Sequence, residues 1–412
     1  MLFRSVKDSL VLRQFCRVYL QPVPDDTTLL RWAQLIGPQT LTRLNERVVA
    51  LARQLRVTRG RKLRVDTTVV QTQIHHPTDS ALLGDGVRVL SRLLRRAKGL
   101  AETVPALAAL SKETFRSRTR SCRKLAQEFH RLARKKGEAA AETMKAAYER
   151  QLAVARASVR QAQQVLAVLA GCTAATAQRL TGGLEGFIPL VEQVIRQAWR
   201  RVIVGEAVPA PEKLVSLFEP HTQIITRHKA GKKVEFGRKV WLDEVEGGII
   251  SHYTVLAEGG GTDQPYLEAA LTGHQERFGK APQLLATDRG VSSPANEQLA
   301  HSAGVKRVVM PALGKVPPER KQQERTRWFR QGFRFRAGIE GRVHVLQRDF
   351  GLDCCRYRGA VGMGRWVGWG IVTANLVQIS RMQVARQAPQ ALGSGIRGGK
   401  RGLNEGLGGR ER

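Results

Sequence analysis

Three acidic residues lie in stretches of sequence that suit a fixed chemical site. Asp66 lies in the run LRVDTTVV, Asp288 ends the run QLLATD, and Glu340 lies in FRAGIEGRVHVL. The first two runs are rich in apolar and β-branched residues, which is typical of buried strands. Carboxylate oxygens are the ligands that Mg²⁺ prefers, and two divalent ions can activate one oxygen and stabilise another in phosphodiester chemistry. The three acids therefore predict a site for two Mg²⁺ ions, with Mn²⁺ as an expected substitute.

The residues around Glu340 indicate a helix with one functional face. Phe333, Arg336, Glu340 and Gln347 follow one another at steps of three, four and seven residues, which places them on one stripe. Arg336 is then within reach of a phosphate beside the metal ions, or of the Glu340 carboxylate itself. An ordinary surface helix with an i, i+4 Arg–Glu pair has the same spacing, so the stripe alone does not decide between these interpretations.

The chain is strongly basic. It has 412 residues, with 68 Lys and Arg against 35 Asp and Glu, a formal net charge of +33 and a pI near 11.1. This charge predicts a polyanionic partner such as nucleic acid, although a ribosomal-type basic protein or a merely Arg-rich composition would show the same balance. The hydrophobic content of 42% is enough for real cores, so we expect a folded protein of two or three domains.

The cysteines and the apolar segments set the expected compartment. The five cysteines form no CxxC pair, so we expect neither a zinc site nor a disulfide framework, and a reducing cytoplasm. Residues 1–10 contain no continuous apolar core, and the most apolar late segment, 361–379, is interrupted by polar residues. We therefore expect no signal peptide, no membrane partner and a bacterial cytoplasmic location, at the nucleoid when DNA is bound.

The elements that must position these residues follow from the sequence pattern. Residues 1–60 show helical spacing and caps, 61–86 contain the first strand, and 87–205 are helical almost throughout. Residues 206–386 return to a period-two pattern, with a hairpin, two further strands and two late helices. We predict an α/β protein with five strands. The Gly-rich basic stretch 387–412 is expected to be a disordered tail.

Two stretches of the helical part carry further predictions. In HHPTDSALLGDGVRVL, Pro77, Gly84 and Gly86 predict a loop before a new helix. Between Ser111 and Gly137, ten Lys and Arg face only two glutamates. This run is either a solvated helix face or a surface that follows DNA, and the sequence favours neither.

The acidic motifs resemble those of a known enzyme family. The pattern Phe333-x2-Arg336-x3-Glu340-x6-Gln347 is similar to the Tyr-Arg-Glu-Lys signature of DDE transposases of bacterial insertion sequences, and ATDRG and VDTTVV resemble their two aspartate motifs. The stretches RVDTTVVQTQIHHPTDSALLGDGVRVLSRLL, GEAVPAPEKLVSLFEPH and FRAGIEGRVHVL resemble the ISNCY group in particular. Together these matches cover most of residues 10–385.

The resemblance implies both a fold and a reaction. The implied fold is an RNase H-like core, a five-stranded mixed sheet with flanking helices, with a large helical insertion after the first strand. Asp66, Asp288 and Glu340 are implied to bind the metal ions and to catalyse strand cleavage and strand transfer at the ends of an insertion sequence. The implied partners are double-stranded DNA and further copies of the chain, in a homodimer or higher oligomer.

The chain departs from the family pattern at two positions of the helix. Phe333 replaces the usual Tyr, and Gln347 replaces the usual Lys, so one hydroxyl and one cation that would contact DNA are absent. We expect Arg336, Gln347 and Arg348 to contact phosphate, with Arg348 compensating for the lost cation. The chain also resembles a family member that begins inside its helical DNA-binding region. A nuclease without strand transfer and an inactive, truncated DNA-binding relic are therefore alternative functions.

Several other polar residues have simpler interpretations. Asp243 and Glu244 are the chief rivals for the metal site, and we expect them at a solvent-facing strand end. His75 and His76 are expected in a turn or at DNA. Asp79 and Asp85 are interpreted as turn formers, and Cys354 and Cys355 as free buried thiols. Trp366 and Trp369 are interpreted as core aromatics.

Overall fold

The structure is a computed structural model of the chain. It describes residues 7–23, 25–132, 134, 137–226, 234–256, 263–312, 314 and 316–387. The predicted disordered tail, 387–412, lies outside the described residues apart from Gln387.

In the described part of residues 1–60, three helices precede the sheet, and the sequence predicts helical structure here. They are α1 (Leu10–Phe15), α2 (Asp26–Leu35) and α3 (Pro38–Gln54). The side chain of Asp25 caps α2 by accepting a 2.6 Å hydrogen bond from the backbone N–H of Thr28. The apolar stripe of α3 packs on the core of the sheet.

The described residues form one mixed sheet. Its strands are β1 (Lys62–Thr72), β2 (Gln223–Thr226), β3 (Val234–Val245), β4 (Ile249–Val255), β5 (Leu284–Ala286), β6 (Arg307–Val309) and β7 (Cys354–Cys355). Long β1 and β3 are antiparallel neighbours at the centre, β4 pairs antiparallel with β3, and β5 and β6 follow β1 in parallel. The five predicted strands are β1, β3, β4, β5 and β6. The count of five was wrong, because the sheet has seven strands.

The two additional strands are short and depend on distant partners. β2 pairs with the start of β3, and β7 pairs with the end of β1 at Gln71 and Thr72. Strands of four and two residues carry too little alternation to be recognised in sequence, so only their pairing in the fold defines them.

Helices cover both faces of the sheet. One core contains Leu63, Val65 and Trp241 and packs against α3 and α9 (Tyr266–Phe278). The other core contains Val70 and Leu242 and packs against the last two long helices. These two long helices are α12 (Arg327–Phe350) and α13 (Gly359–Gln387). Two shorter helices, α10 (Pro294–Ser302) and α11 (Pro318–Arg325), lie between β5 and α12 in the chain. Alternation along β1 and β3 thus sends successive residues to different cores.

A helical unit lies between β1 and β2 in the chain. Its helices are α4 (Asp79–Lys98), α5 (Pro105–Ala108), α6 (Thr119–Leu132), α7 (Glu138–Leu169) and α8 (Ala175–Ala198), followed by a π-helical turn, Trp199–Val204. Leucine and valine side chains of α4, α7 and α8 form a core separate from those of the sheet. The described residues contain no helix that is long and apolar enough to cross a membrane.

The predicted loop at Gly84 and Gly86 was wrong, because both glycines lie inside α4. A Cβ at Gly86 would lie 2.9 Å from Cγ2 of Val191 on α8. Gly86 is therefore where two helices approach closely, a packing role that has the same sequence signal as a turn glycine.

Candidate functional site

One face of β1 contacts α12 residue by residue. Arg64 donates to the backbone carbonyl of Phe335, Nη2 of Arg336 lies 3.5 Å from Oδ2 of Asp66, and the Gln347 amide donates to Oγ1 of Thr68 at 3.1 Å. Arg64, Asp66 and Thr68 share a face because alternate strand residues point the same way. The strand and the helix are thus held with Asp66 beside Arg336.

Asp66 is largely buried, and two other acids, Asp288 and Glu340, act on its charge. Its side chain is 14% exposed, and its Oδ1 accepts a 2.8 Å hydrogen bond from the backbone N–H of Thr67. Burial raises the pKa of Asp66 to about 6, and the negative charge of Asp288 and, less strongly, of Glu340 acts in the same direction. The guanidinium of Arg336 and the Thr67 N–H lower the pKa but do not outweigh these effects.

Asp288 reaches this place from the neighbouring strand. β5 pairs in parallel with β1, with Ala286 opposite Arg64, so Asp288, two residues further, follows the direction of β1 towards Asp66. The Asp288 Oδ1 accepts a 3.1 Å hydrogen bond from the backbone N–H of Val291. This turn fixes the carboxylate just beyond the carboxyl end of the strand.

Glu340 is linked to Asp66 through Arg336. Nη1 of Arg336 donates to Oε1 of Glu340 at 2.8 Å, while Nη2 faces Asp66. The Glu340 side chain is 68% exposed, whereas that of Arg336 is 17% exposed. The i, i+4 pair expected from spacing therefore exists, and its arginine lies between two of the three acids.

The donor set has the chemistry that Mg²⁺ requires. Among the described residues no three His, Cys, Asp or Glu side chains are grouped closely enough to hold a metal ion. The acids nevertheless offer only hard oxygen ligands, and their mutual repulsion at Asp66 is the energy that a cation would relieve. Asp66 and Asp288 are the acids whose charges act on one place, and Glu340 would have to leave Arg336 to join them at a metal ion.

The other predicted DNA-contacting residues of α12 have partners within the protein. Arg348 is exposed and pairs with Asp349, with Nε and Oδ1 2.7 Å apart. Gln347 contacts β1 through Thr68 rather than facing solvent. Phe333 is 45% exposed on the helix surface.

The rival acids on β3 are not at a solvent-facing strand end, so that prediction was wrong. Asp243 and Glu244 are both buried, with 1% and 0% of their surface exposed. Asp243 accepts a 2.6 Å hydrogen bond from the indole N–H of Trp241, and burial raises its pKa to about 6. Glu244 accepts from Nε of Arg64 at 2.9 Å. Asp243 lies on the face of β3 that carries Trp241 and Val245, and Glu244 lies on the opposite face beside Arg64, so both acids are buried because helices cover both faces of the sheet.

The remaining candidates have structural partners. His75 pairs with Asp85, with Nε2 and Oδ2 2.7 Å apart, and this contact raises the pKa of His75. His76 meets the ring of Phe236 edge-on. Both cysteines of β7 are free thiols; Cys355 is buried and Cys354 is partly exposed.

A fourth acid near the site has no obvious signal in the sequence. Asp263 follows the glycine-rich stretch GGGT, but its carboxylate accepts from the hydroxyl of Thr67 at 3.0 Å and from Nζ of Lys239 at 2.8 Å. An aspartate after glycines normally predicts a turn, so only the fold reveals its position.

Comparisons with protein-family models, with curated proteins and with solved structures found no match. The transposase resemblance therefore depends on the motifs of this chain, and the catalytic roles of Asp66, Asp288 and Glu340 stay predictions.

Proposed function

We propose that the chain is a DDE-type DNA transposase, which cleaves DNA at the ends of an insertion sequence and transfers the freed strand. One observation carries this proposal: Arg336 contacts both Asp66 on β1 and Glu340 on α12, and the negative charge of Asp288 from the neighbouring strand end raises the pKa of Asp66, although the three acids are far apart in sequence. Such a convergence of acids on secondary-structure elements is typical of sites that bind divalent metal ions for phosphoryl chemistry.

The architecture supports an RNase H-like core. A mixed sheet with β1 at its centre carries helices on both faces, and a separate helical unit follows β1. This arrangement agrees with the fold and the insertion that the transposase resemblance implies. Ligands of open α/β sheets bind beyond the carboxyl ends of parallel strands, and Asp288 lies at such an end.

Each residue would have a distinct task in the reaction. Asp66 and Asp288 would hold the two Mg²⁺ ions, with Glu340 completing one shell, and the bound ions would supply activation of the attacking oxygen and stabilisation of the leaving oxygen. Arg336 would bind the scissile phosphate on the side of Asp66, since its guanidinium already lies between two carboxylates. Water attacks first, and the freed 3′ hydroxyl then attacks target DNA in line.

The net charge of +33 supports double-stranded DNA as the partner, because many phosphates can be neutralised at once. We propose that copies of the chain assemble as a homodimer or higher oligomer on the two element ends.

The test uses the purified chain, Mg²⁺ and duplexes made from the DNA that flanks its gene. We expect nicking and joining of strands, which Asp66→Asn, Asp288→Asn and Glu340→Gln each abolish while duplex binding stays nearly unchanged. Glu319→Gln, which removes an exposed acid of the neighbouring helix α11, is the control and should keep activity. Nicking without joining would identify a nuclease instead, and binding without metal-dependent nicking would identify an inactive DNA-binding protein.

A further inference from the structure

Asp263 connects two strands of the sheet immediately beside Asp66. Its Oδ2 accepts the hydroxyl of Thr67 at 3.0 Å, and its Oδ1 accepts Nζ of Lys239 at 2.8 Å. Thr67 belongs to β1 and Lys239 to β3, and the Asp263 side chain is only 12% exposed. Both carboxylate oxygens are therefore committed, each to a different strand.

Asp263 also lies across a glycine from Asp288. A Cβ built at Gly290 would lie 3.4 Å from both carboxylate oxygens of Asp288 and 3.7 Å from Oδ2 of Asp263. The two carboxylates thus approach the same small volume, which Gly290 leaves free of side-chain atoms. Lys239 balances the charge of Asp263 on the side away from Asp288.

The contact with Thr67 leads directly to Asp66. The backbone N–H of Thr67 donates to Oδ1 of Asp66 at 2.8 Å, so the orientation of the Thr67 peptide sets the direction of the Asp66 carboxylate. A hydroxyl held by Asp263 restricts the Thr67 side chain, whose χ1 is already stiff because the residue is β-branched. Residues of this kind, which orient metal ligands through hydrogen bonds, affect metal affinity without touching the metal.

We infer that Asp263 is a positioning residue of the carboxylate site, which fixes the Asp66 carboxylate through the Thr67 hydroxyl. The inference rests on the proposed metal-dependent function. It differs from a purely structural role, in which Asp263 only neutralises the partly buried Lys239, because only the positioning role requires Thr67.

A binding measurement without turnover tests the inference. Mn²⁺ is titrated into the full chain and free Mn²⁺ is measured by electron paramagnetic resonance, for the wild type, Asp263→Asn, Thr67→Val and the double variant. Asp263→Asn retains one acceptor oxygen in place of two, and Thr67→Val removes the hydroxyl but keeps the backbone N–H. We expect each single variant to weaken Mn²⁺ binding about tenfold, and the double variant to be no weaker than either single one.

The matched control is Asp79→Asn in the helical unit. Asp79 is buried and pairs with Arg201 at 2.7 Å, so its loss disturbs a comparable ion pair away from the carboxylates. It should leave the Mn²⁺ affinity at the wild-type value.

The outcomes separate the two levels of the proposal. Unchanged Mn²⁺ affinity in Asp263→Asn, or losses that multiply to about a hundredfold in the double variant, would overturn the positioning role while the wild-type chain still binds Mn²⁺ and nicks DNA. A wild-type chain that binds no Mn²⁺ would overturn both this inference and the proposed metal-dependent function.

Discussion

The charge on Asp66 is held at a cost to the fold. Burial disfavours the ionised form and raises the pKa of Asp66 to about 6 in the folded chain, from its ordinary value of 3.8. Between those two values the unfolded chain has lost a proton that the folded chain keeps, so stability falls as the pH rises through this interval. Above pH 6 the penalty is fully present. A bound cation would offset this penalty, because it favours the ionised form of Asp66 against both the burial and the like charges of Asp288 and Glu340.

Asp66→Asn should therefore stabilise the protein at pH 7. The amide oxygen can still accept from the Thr67 N–H, while the charge is removed, so we expect a gain of about 3 kcal/mol in the free energy of unfolding. At pH 3.5 the gain should vanish, because both states of the wild type are then mostly protonated at this position. Urea unfolding at the two pH values in EDTA measures the difference.

Asp8→Asn is the control for that experiment, since it removes one acid from an exposed position and should change stability little. A loss of stability at pH 7 in Asp66→Asn would contradict the penalty that burial and like charge place on the ionised Asp66.

The acids of the candidate site could be predicted from sequence only in part. Asp66 and Asp288 lie in apolar runs, so local pattern sufficed to place Asp66 on β1 and Asp288 just after β5, and spacing sufficed for the Arg336–Glu340 pair. Asp263 could not be found in this way, because its importance comes from two strands that it contacts. Asp243 was misjudged because helices from distant parts of the chain cover both faces of β3, and the local sequence does not show this.

At the scale of elements, a buried ion pair joins β1, β3 and α12. Arg64 binds Glu244, donates to the carbonyl of Phe335 and lies over the Phe335 ring at 4.7 Å from its centroid. The Arg64 side chain is 11% exposed and that of Glu244 fully buried. This contact sets the height of the helix above the strand, and therefore the position of Arg336 relative to Asp66.

Glu244→Leu should destabilise the fold by about 3–5 kcal/mol, because it leaves the Arg64 charge buried without its partner. The double variant Arg64→Met, Glu244→Leu removes both charges and should recover most of that loss. Guanidinium chloride unfolding measures the free energies of all three proteins. Equal losses in the single and double variants would show that the unpaired charge is not the cause.

Gly86 shows how packing overrides local signals between elements. Gly86→Ala brings its methyl group against Val191, so we expect a net loss of about 1 kcal/mol in spite of the better helix propensity of alanine. In a Val191→Ala background the space is free, and the same substitution should then stabilise the protein by about 1 kcal/mol. Urea unfolding of the four proteins measures this coupling, and an identical effect in both backgrounds would contradict the close approach.

The elements themselves were predicted to the extent that their signals are local. The long strands β1, β3 and β4 and the helix α12 follow from alternation and helical spacing within their own residues. By contrast, β7 exists only through its pairing with the end of β1. The same limit explains Gly86, whose partner is on another helix.

For the whole molecule, the distribution of exposed positive charge would decide where the proposed DNA partner binds. α6 has two faces: Cys122, Leu125 and Phe129 are buried, whereas Arg120, Arg123 and Lys124 on the opposite side are exposed. These three cations follow i, i+3, i+4 spacing and form one stripe. The stripe is part of the basic run between Ser111 and Gly137. It lies in the helical unit and not on the sheet.

If this stripe follows DNA, replacing Arg120, Arg123 and Lys124 together by glutamine should weaken duplex binding and flatten its salt dependence. Each phosphate contact contributes about 0.9 to the slope of log K against log salt, so the slope should fall by about 3. Fluorescence anisotropy with a labelled duplex, between low and moderate salt, measures the slope. The charge-matched control replaces three exposed cations outside the helical unit, Lys280, Lys306 and Arg307. A slope that changes equally in both triple variants would mean that α6 contributes only general charge, and that its basic face is a solvated surface.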